Sequence, residues 1–583
     1  GAGSACDDEA AIGCEGLDRL ACEDGVWAFV ETCELLCDDE TGCVECSPGL
    51  GACDGDVAVR CSADGESLEE VQDCGKIGLA CSAGACGGAA PGTCAEAELS
   101  RSNIGCDYWA VDLDNAENQF DTAAAGQFAV VVANIDPVAT VHVEVRINEA
   151  PQGEPLELSL VEETDIGPTN LYIFRLPRRD VDGINVTDGV DDGPQTWLSS
   201  RAFRVTSDLP VVAYQFNPLD QRYSNDTSLL LPSSGLGQDY LVLGYPPSGP
   251  FGQIGPLAGP KNRGYVTVVA AVESTHVEVV PAFDIEAGEG IDAIEAGATA
   301  SFDIGPYDVV NLETRLLSFG ESMLPDLTGS TVVSDKPVAV FFGTDLSVIA
   351  TDPYDENACC AEHLEEQVIP STAMGQKFVV SHSAQRNQGA PEADYYRIQA
   401  YEGGSVTTSL PAPNASFTLG AGGFHELYAT TGFTIESDAH LHVAQFLVVG
   451  TDIASPRAGA GDNSLLYVPA IDQRRGLYVF TTGEGFDGNY AVVSMPEGGA
   501  ATIDGFDVGS NCEGPRDDGA LDGVSYESFT CEISDGGHVV HSGGSVKEAK
   551  APIGVFVYGY YAAGSYAYAA GSELRQIHDV GPK

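Results

Sequence analysis

The chain has 583 residues, and its 88 acidic and 26 basic side chains give a formal net charge of −62. At about 100–200 residues per domain this length predicts about four domains, and the 43% of hydrophobic residues is enough for each to form a core. The charge excludes nucleic acid and anionic lipid as expected partners, because both are bound through clustered Lys and Arg.

The negative charge is spread along the chain. Residues 1–106 hold 22 acids and four bases, which leaves −44 for the other 477 residues. An acidic tail is therefore excluded. Two interpretations remain open: the acids keep the surface solvated in salt, or some of them bind Ca²⁺, which prefers carboxylate and carbonyl oxygens.

The first 106 residues are rich in cysteine and contain 14 of the 18 cysteines. Twelve of these form two similarly spaced sets, which predict two modules at 1–45 and 46–90. So short a module buries too little apolar surface to fold alone, so we expect three disulfides in each. Six cysteines allow 15 pairings, and the sequence does not choose among them. The two sets are Cys6, Cys14, Cys22, Cys33, Cys37 and Cys43, then Cys46, Cys53, Cys61, Cys74, Cys81 and Cys86.

Four other cysteines are predicted to form two disulfides, because the members of each pair are close in the sequence. Cys94 is predicted to bond Cys106, and Cys512 is predicted to bond Cys531 across an acidic loop. Zinc is the alternative for the Cys-rich region, where Cys43 and Cys46 form a CxxC, but no histidine occurs there. Disulfides on this scale predict an exported protein, secreted or at the cell surface. The small, polar start is typical of a mature form, and no apolar run of 18 residues predicts a membrane span.

A small-residue linker is predicted at 91–106, and an all-β region follows it. Short Val-, Thr- and Tyr-rich runs alternate in period 2 between Gly, Pro, Asp and Asn. A polar turn followed by an apolar strand recurs from Ser207, Ser334 and Ser437, and more weakly from Ala549. This recurrence predicts four repeats of about 110 residues. Their predicted bounds are 107–225, 226–360, 361–460 and 461–583.

Six or seven strands in such a repeat favour a β-sandwich. The alternative is a β-propeller in which each repeat supplies two blades. A tyrosine-rich segment at 558–568 either closes the last sheet or forms a face for sugar stacking or subunit contact.

Several segments together resemble the N-terminal region of the IgG Fc-binding protein family, and are closest to bacterial, myxobacterial-type members that carry Cys-rich modules. The resemblance covers roughly 100–575 and implies an extracellular surface or matrix protein of adhesive character. The segments are Gly105-Cys-Asp-Tyr-Trp-Ala-Val-Asp-Leu-Asp114, Leu176-Pro-Arg-Arg-Asp-Val-Asp182, Tyr214-Gln-Phe-Asn-Pro218, Cys360-Ala-Glu-His-Leu-Glu-Glu-Gln367, Ala501-Thr-Ile-Asp-Gly505 and Gly564-Ser-Tyr-Ala-Tyr-Ala-Ala-Gly571.

Five acids are candidate Ca²⁺ ligands. Asp112 and Asp114 alternate on a predicted strand and would share one face, while Asp226, Glu366 and Asp462 recur near equivalent strands of different repeats. Helix-capping or turn roles are the alternative. We expect no other cofactor.

Two further groups are candidates. Cys359 and Cys360 are predicted to form disulfides; the alternative is a helical turn on which Cys360, His363 and Glu366 bind zinc or act in catalysis. Arg178 and Arg179 either bind an anionic partner or hold their own loop by ion pairs.

The sequence contains no GxSxG, HExxH or P-loop signature. We therefore predict an exported, non-enzymatic protein for adhesion or assembly, with a protein or glycan partner on a cell surface or in a matrix, or with further copies of itself. The alternative is an extracellular glycan or peptide hydrolase that uses carboxylates on the loops between repeats.

Overall fold

A computed structural model divides the chain into two compact units, residues 1–92 and 93–583. No helix in the part of the chain that it describes is long and apolar enough to cross a membrane. The described residues are 12–15, 18–23, 26–32, 36–38, 42–44, 51–54, 57–61, 67–73, 81–82, 85–86, 92–116, 123–136, 138–183, 195–219, 224–247, 262–317, 321, 324–352, 361–388, 391–457, 459–483, 485–543, 552–578 and 580.

The first unit contains two similar sets of antiparallel strands. Each set is a three-stranded sheet followed by a hairpin: β1-β2-β3 with β4-β5, then β6-β7-β8 with β9-β10. The strands are β1 (Ile12–Glu15), β2 (Asp18–Glu23), β3 (Val26–Thr32), β4 (Leu36–Asp38), β5 (Gly42–Val44), β6 (Gly51–Asp54), β7 (Val57–Cys61), β8 (Leu68–Asp73), β9 (Cys81–Ser82) and β10 (Ala85–Cys86).

Cys22 is buried and disulfide-bonded. The side chains of the other eleven cysteines of the two modules lie outside the described part of the chain, so three disulfides per module stay a prediction. These are Cys6, Cys14, Cys33, Cys37, Cys43, Cys46, Cys53, Cys61, Cys74, Cys81 and Cys86.

The second unit opens with a helix inside the segment predicted to be a linker. Helix α1 (Cys94–Ser100) is capped by Thr93, whose hydroxyl accepts the amide of Glu96 while the Glu96 carboxylate accepts the amide of Thr93. This reciprocal capping box satisfies two amides that would otherwise lack a partner. The predicted disulfide between Cys94 and Cys106 is present and fixes the helix to the first strand of the β region.

Four successive sets of strands follow, which we number as repeats one to four. The strands of repeat one are β11 (Gly105–Ala110), β12 (Ala129–Asn134), β13 (Val141–Asn148), β14 (Leu158–Ile166), β15 (Leu171–Arg175), β17 (Phe203–Asn217) and β18 (Asp226–Leu229), while β16 (Trp197–Ser199) joins a sheet of repeat two. Repeat two has β19 (Gly237–Leu241), β20 (Gly264–Ala270), β21 (Thr275–Val280), β22 (Ala300–Ile304), β23 (Val309–Glu313), β24 (Thr331–Ser347) and β25 (Glu362–Gln367).

Repeat three has β26 (Gly375–Val380), β27 (Asp394–Ala400), β28 (Gly404–Thr408), β29 (Ser416–Leu419), β30 (Phe424–Ala429), β31 (Phe433–Phe446) and β32 (Leu465–Tyr467). Repeat four has β33 (Leu477–Thr481), β34 (Gly488–Pro496), β35 (Ala501–Ile503), β36 (Phe506–Asp507), helix α2 (Val508–Asn511), β37 (Glu513–Leu521), β38 (Val524–Ile533), β39 (Gly537–Ser542), β40 (Gly554–Tyr560) and β41 (Ser565–Ala569). Short 3₁₀ helices lie at Ala123–Ala125, Ser233–Gly235, Ser371–Ala373, Gly450–Asp452 and Ile471–Gln473.

One long strand belongs to both sheets in each of the first three repeats. The first half of β17 pairs with β11 and β13, and its second half pairs with β12 and β18. Strands β24 and β31 do the same with their own neighbours. In repeat four, β39 and β40 divide this role between two strands. Each repeat is therefore sandwich-like, and strands hold 52% of the described residues, which confirms the predicted all-β class.

The recurring Ser-Asp turn lies where the long strand passes from one sheet to the other. Asp208, Asp335 and Asp438 each accept a backbone amide from the neighbouring strand, at distances of 2.6–2.8 Å. The apolar half of the unit is the second half of the long strand, which is buried on both faces. The sequence repeat is thus the signature of this bend.

The last strand of each repeat pairs with the long strand before it, as β18 does with β17. It therefore completes that repeat, and each of the first three repeats ends one strand later than the sequence predicted. The four last strands also contact one another in cyclic order: β18 lies against β25 and β41, and β32 lies against the same two strands. The four repeats consequently close into a ring.

Tyrosines close the ring between repeats four and one. Tyr214 of β17 and Tyr568 of β41 have ring centroids 4.8 Å apart, and the Tyr214 hydroxyl donates to the carbonyls of Val479 and Ala570. Tyr558, Tyr560, Tyr566 and Tyr568 are at most 1% exposed. The tyrosine-rich segment therefore packs the interior, and the expectation of an exposed sugar-stacking face is wrong.

Removing one tyrosine side chain from the contact between repeats four and one should destabilise the whole second unit. We expect Tyr568→Ala to lower the free energy of unfolding by about 3–5 kcal/mol, the usual cost of an aromatic-to-alanine change in a core. Phe506→Ala, at a side chain that is 65% exposed, is the control and should change it by less than about 0.5 kcal/mol. Urea unfolding followed by tyrosine fluorescence measures both, and equal effects would contradict the closed ring.

Candidate functional site

Buried acidic side chains lie where the last strands of the repeats meet. We call this place the ring axis. Asp226, the first residue of β18, is fully buried, and its Oδ1 accepts the Thr227 amide at 3.0 Å and the Ser464 hydroxyl at 2.6 Å. Its Oδ2 accepts the amides of Glu365 and Leu465, each at 3.3 Å. One carboxyl thus joins the last strands of repeats one, two and three. Burial raises the pKa of Asp226 well above its usual range, against the opposing effect of these donors.

Glu365 lies beside Asp226 and faces His363 on the same strand. Burial raises the pKa of Glu365 to about 8, although Gln215 donates to its Oε1 at 3.1 Å. The Nδ1 of His363 lies 2.9 Å from the Thr344 carbonyl, which only accepts, so Nδ1 carries the ring proton. The Nε2 atom, 3.3 Å from Glu365 Oε2, then accepts the proton of the neutral carboxyl.

The other two axial Ca²⁺ candidates also bond to protein donors. Glu366 accepts the Ser228 hydroxyl at 3.0 Å, and burial raises its pKa well above the usual range. Asp462 accepts the Asn463 amide at 3.0 Å, as Asp226 does with Thr227. These contacts fit the turn and capping alternative. Ca²⁺ binding by Asp226, Glu366 and Asp462 stays a prediction.

A second set of buried acids lies between repeats one and two. One carboxylate oxygen from each of Asp114, Asp182 and Glu313 lies within 4.8 Å of the other two, and each residue is at most 3% exposed. Burial raises the pKa of Asp114 well above its usual range, and the neighbouring Asp345 adds the next largest contribution. We call Asp114, Asp182, Glu313 and Asp345 the junction cluster.

Asp112 does not join the junction cluster. Strand β11 ends at Ala110, so Asp112 and Asp114 follow the strand instead of alternating on it as predicted. The Asp112 carboxylate accepts the Arg179 amide at 2.8 Å, and burial together with Asp180 raises its pKa to about 8. Of the five predicted ligands, the structure therefore brings only Asp114 into a group of facing carboxylates.

Sequence reasoning did not name Asp182 and Glu313 as ligands. Asp182 lies in a segment that the sequence analysis singled out for its arginines and for its resemblance to the family. Glu313 ends a strand whose other side chains are mostly apolar, and Asn311 two residues earlier donates to its Oε1 at 2.7 Å. Asn311 and Glu313 are two polar residues on one face of an apolar strand, and this pattern could have indicated a buried polar site.

The two arginines are engaged within their own repeat. Arg178 lies 3.3 Å from Asp180. Arg179 donates to the carbonyls of Asn148 and Ser200, and burial lowers its pKa. These contacts fit the alternative in which both arginines hold their loop, and anion binding by them stays a prediction.

Residues 362–367 form strand β25, so the predicted helical turn is wrong. His363 and Glu366 lie three residues apart on a strand and point to opposite faces. Cys359 and Cys360 lie outside the described residues, and their disulfides stay a prediction. The predicted bond between Cys512 and Cys531 is present.

Repeats one and two each have a surface histidine that lies close to acidic side chains. His142 lies 2.8 Å from Asp165 and 3.8 Å from both Glu144 and Glu163, and His276 of repeat two is 2.8 Å from Asp303. The hydrogen bond to Asp165 raises the pKa of His142.

The raised pKa of Glu365 makes stability depend on pH. The folded chain keeps a proton that an unfolded glutamate, with an ordinary pKa of 4.5, releases. Stability conferred by this proton falls as pH rises from about 5 to 8, by up to about 1.4 kcal/mol per pH unit. Glu365→Gln keeps a neutral hydrogen-bond donor at this position. The variant should therefore gain stability relative to wild type as the pH rises from about 5 to 8.

Urea unfolding at several pH values between these limits measures the difference. The exposed Glu163→Gln is the control and should track wild type throughout. A difference between Glu365→Gln and wild type that stays constant with pH would contradict a neutral Glu365.

Comparison with known proteins supports the resemblance seen in the sequence. A family model described as IgGFc binding protein matches residues 226–559, more than half of the chain. The match runs from the first residue of β18 into β40 and so covers repeats two and three and most of repeat four. No curated protein matches the chain significantly. On the strength of the family match, the chain belongs to the IgGFc-binding protein family.

Proposed function

We propose that this chain is an exported, non-enzymatic binding protein that acts in adhesion or assembly at a cell surface or in an extracellular matrix. The observation that carries the proposal is membership of a family described by what it binds. Two disulfides in the second unit support an oxidising exterior, where such bonds persist.

The alternative of an extracellular hydrolase is less well supported. Glycoside hydrolysis requires two carboxyl groups that flank a substrate bond. Asp226, Glu365 and Glu366 have the raised pKa values that an acid catalyst needs, but they are at most 3% exposed. A polymeric substrate does not reach groups buried on the ring axis. Their arrangement supports a structural role.

A protein partner is better supported than a glycan. The family description names the Fc part of an immunoglobulin, and for this chain Fc is one candidate among protein surfaces. The formal charge of −62 favours a partner with basic groups, and it opposes contact between copies of the chain unless salt or cations screen it.

The row Leu156, Leu158 and Leu160 is the surface that we propose to meet this partner. These side chains are 43–48% exposed at alternate positions. Strand β14, to which the last two belong, forms the edge of its sheet. An edge strand offers free backbone groups, and an apolar row beside them suits the addition of a strand from another protein.

A double substitution tests this surface. The Leu158→Glu/Leu160→Glu variant should weaken binding to the protein partner at least about tenfold, since it places charge on a contact that must lose water. Phe506→Glu is the control, because Phe506 is equally apolar, is 65% exposed and lies in repeat four. All three proteins should melt at the same temperature.

Biolayer interferometry against immunoglobulin Fc and against a second copy of the chain measures the affinity, with a glycan array and hydrolysis assays in parallel. We expect saturable binding to one of the two protein surfaces. Binding to glycans alone, turnover of a glycan or peptide, or no saturable protein binding would contradict the proposed function.

A further inference from the structure

We propose that the junction cluster is a Ca²⁺ site, in which Asp114, Asp182 and Glu313 hold the ion between repeats one and two. The spacing of the oxygens fits such an ion. Ca²⁺ binds oxygen at about 2.3–2.6 Å, so two of its ligand atoms lie up to about 5 Å apart. The three carboxylates meet this limit, because one oxygen from each lies within 4.8 Å of the other two.

One oxygen of the junction cluster has no donor. Asp114 is 3% exposed, and its Oδ1 makes no hydrogen bond in the described structure. Asp114 instead faces three other acids, Asp182, Glu313 and Asp345, whose charges all act on it. A buried carboxylate oxygen without a donor is costly, and a cation removes that cost.

Other buried acids of the same protein show the contrast. Asp518 accepts the hydroxyls of Ser381, Ser494 and Ser528 at 2.5–3.2 Å. Asp226 has the four donors described above. These carboxyls are satisfied by protein groups. Asp114 departs from that pattern, because the side chain that its carboxyl bonds to is another acid, Asp345, and its Oδ1 has no donor.

The guanidinium of Arg263 lies beside the junction cluster and also contacts a residue outside it. The Nε of Arg263 lies 3.7 Å from Glu313 Oε2, while its Nη1 donates to Glu286 at 3.3 Å and to the Thr314 carbonyl at 2.8 Å. Its single charge is thus shared with Glu286, which lies outside the cluster. A divalent ion would add positive charge at a place where the guanidinium of Arg263 divides its own between Glu313 and Glu286.

The ligand atoms select the kind of metal. Carboxylate oxygens alone favour a hard cation over zinc, which takes nitrogen and sulfur. Mg²⁺ usually keeps several waters in an octahedral shell, whereas Ca²⁺ accepts a protein cage of irregular geometry. Because all three residues are at most 3% exposed, a cage of protein oxygens suits Ca²⁺ better.

The ion would connect three segments that are far apart in the sequence. Asp114 follows β11, Asp182 lies in the segment after β15, and Glu313 ends β23 of repeat two. A bound ion would therefore fix repeat two against repeat one. This inference does not rest on the proposed function.

The full chain and its Asp114→Asn variant test the site. At fixed, high ionic strength, Ca²⁺ should raise the melting temperature of the wild type by about 2–5 °C over that in chelator, and Mg²⁺ should raise it less. Asp114→Asn should melt at least as high as wild type in chelator, because a neutral amide replaces a buried carboxyl that faces other acids. Ca²⁺ should not raise the melting temperature of this variant. In equilibrium dialysis with radioactive Ca²⁺, the variant should bind one ion fewer per chain than the wild type.

Asp518→Asn is the matched control, because Asp518 is equally buried but bonded to protein hydroxyls. It should melt lower than wild type and keep the full Ca²⁺ stoichiometry. Asp182→Asn supplies the same test from another segment if Asp114→Asn does not fold. The proposal is overturned if Ca²⁺ leaves the wild type unchanged, if it stabilises the junction variants as much as the wild type, or if they bind as many ions.

Discussion

The ring depends on one buried carboxyl, that of Asp226, which accepts hydrogen bonds from the last strands of three repeats. Each sandwich has its own core, yet each leaves the last strand at its inner edge with polar groups that need partners. Asp226 supplies acceptors to Glu365 of repeat two and to Ser464 and Leu465 of repeat three. In a low-dielectric interior such bonds are strong, and leaving the donors unpaired is expensive. The first three repeats are therefore expected to hold together as one unit.

The high acid content of the chain serves two different environments. Acids on the outside keep a protein of net charge −62 solvated. Acids on the axis are buried, and burial raises the pKa of Glu365 to about 8, so it stays neutral and acts as a hydrogen-bond donor. The formal charge thus overstates the charge that the folded protein carries at neutral pH. The composition alone does not separate these two groups.

The sequence predicts the local features of this fold well. The Ser-Asp turns mark the bends of the long strands because Asp208, Asp335 and Asp438 perform the same local task in each repeat. Cys94 and Cys106, only 12 residues apart, pair as expected. The spacing of Thr93 and Glu96 is that of a capping box, but the small residues around them favoured a linker over a helix.

Contacts between distant segments were not predictable in the same way. Glu313 meets Asp114 and Asp182 only because repeats one and two pack side by side in the ring. His363 and Glu366 have helical spacing, but pairing with β24 makes their segment a strand. The recurrence of Asp226 and Asp462 near equivalent strands suggested Ca²⁺ ligands, and the structure places both beside the last strand of a repeat. The recurrence did not show that protein donors surround these acids.

Hydrogen–deuterium exchange of an Asp226→Ala variant tests the closed ring most directly. The account predicts faster exchange in β18 and also in β25 and β32, where the Glu365 and Leu465 amides lose their acceptor. The first sheet of repeat one, formed by β14, β13, β17 and β11, should keep its protection. Faster exchange confined to β18 and its neighbours in repeat one would contradict a ring held together through this carboxyl.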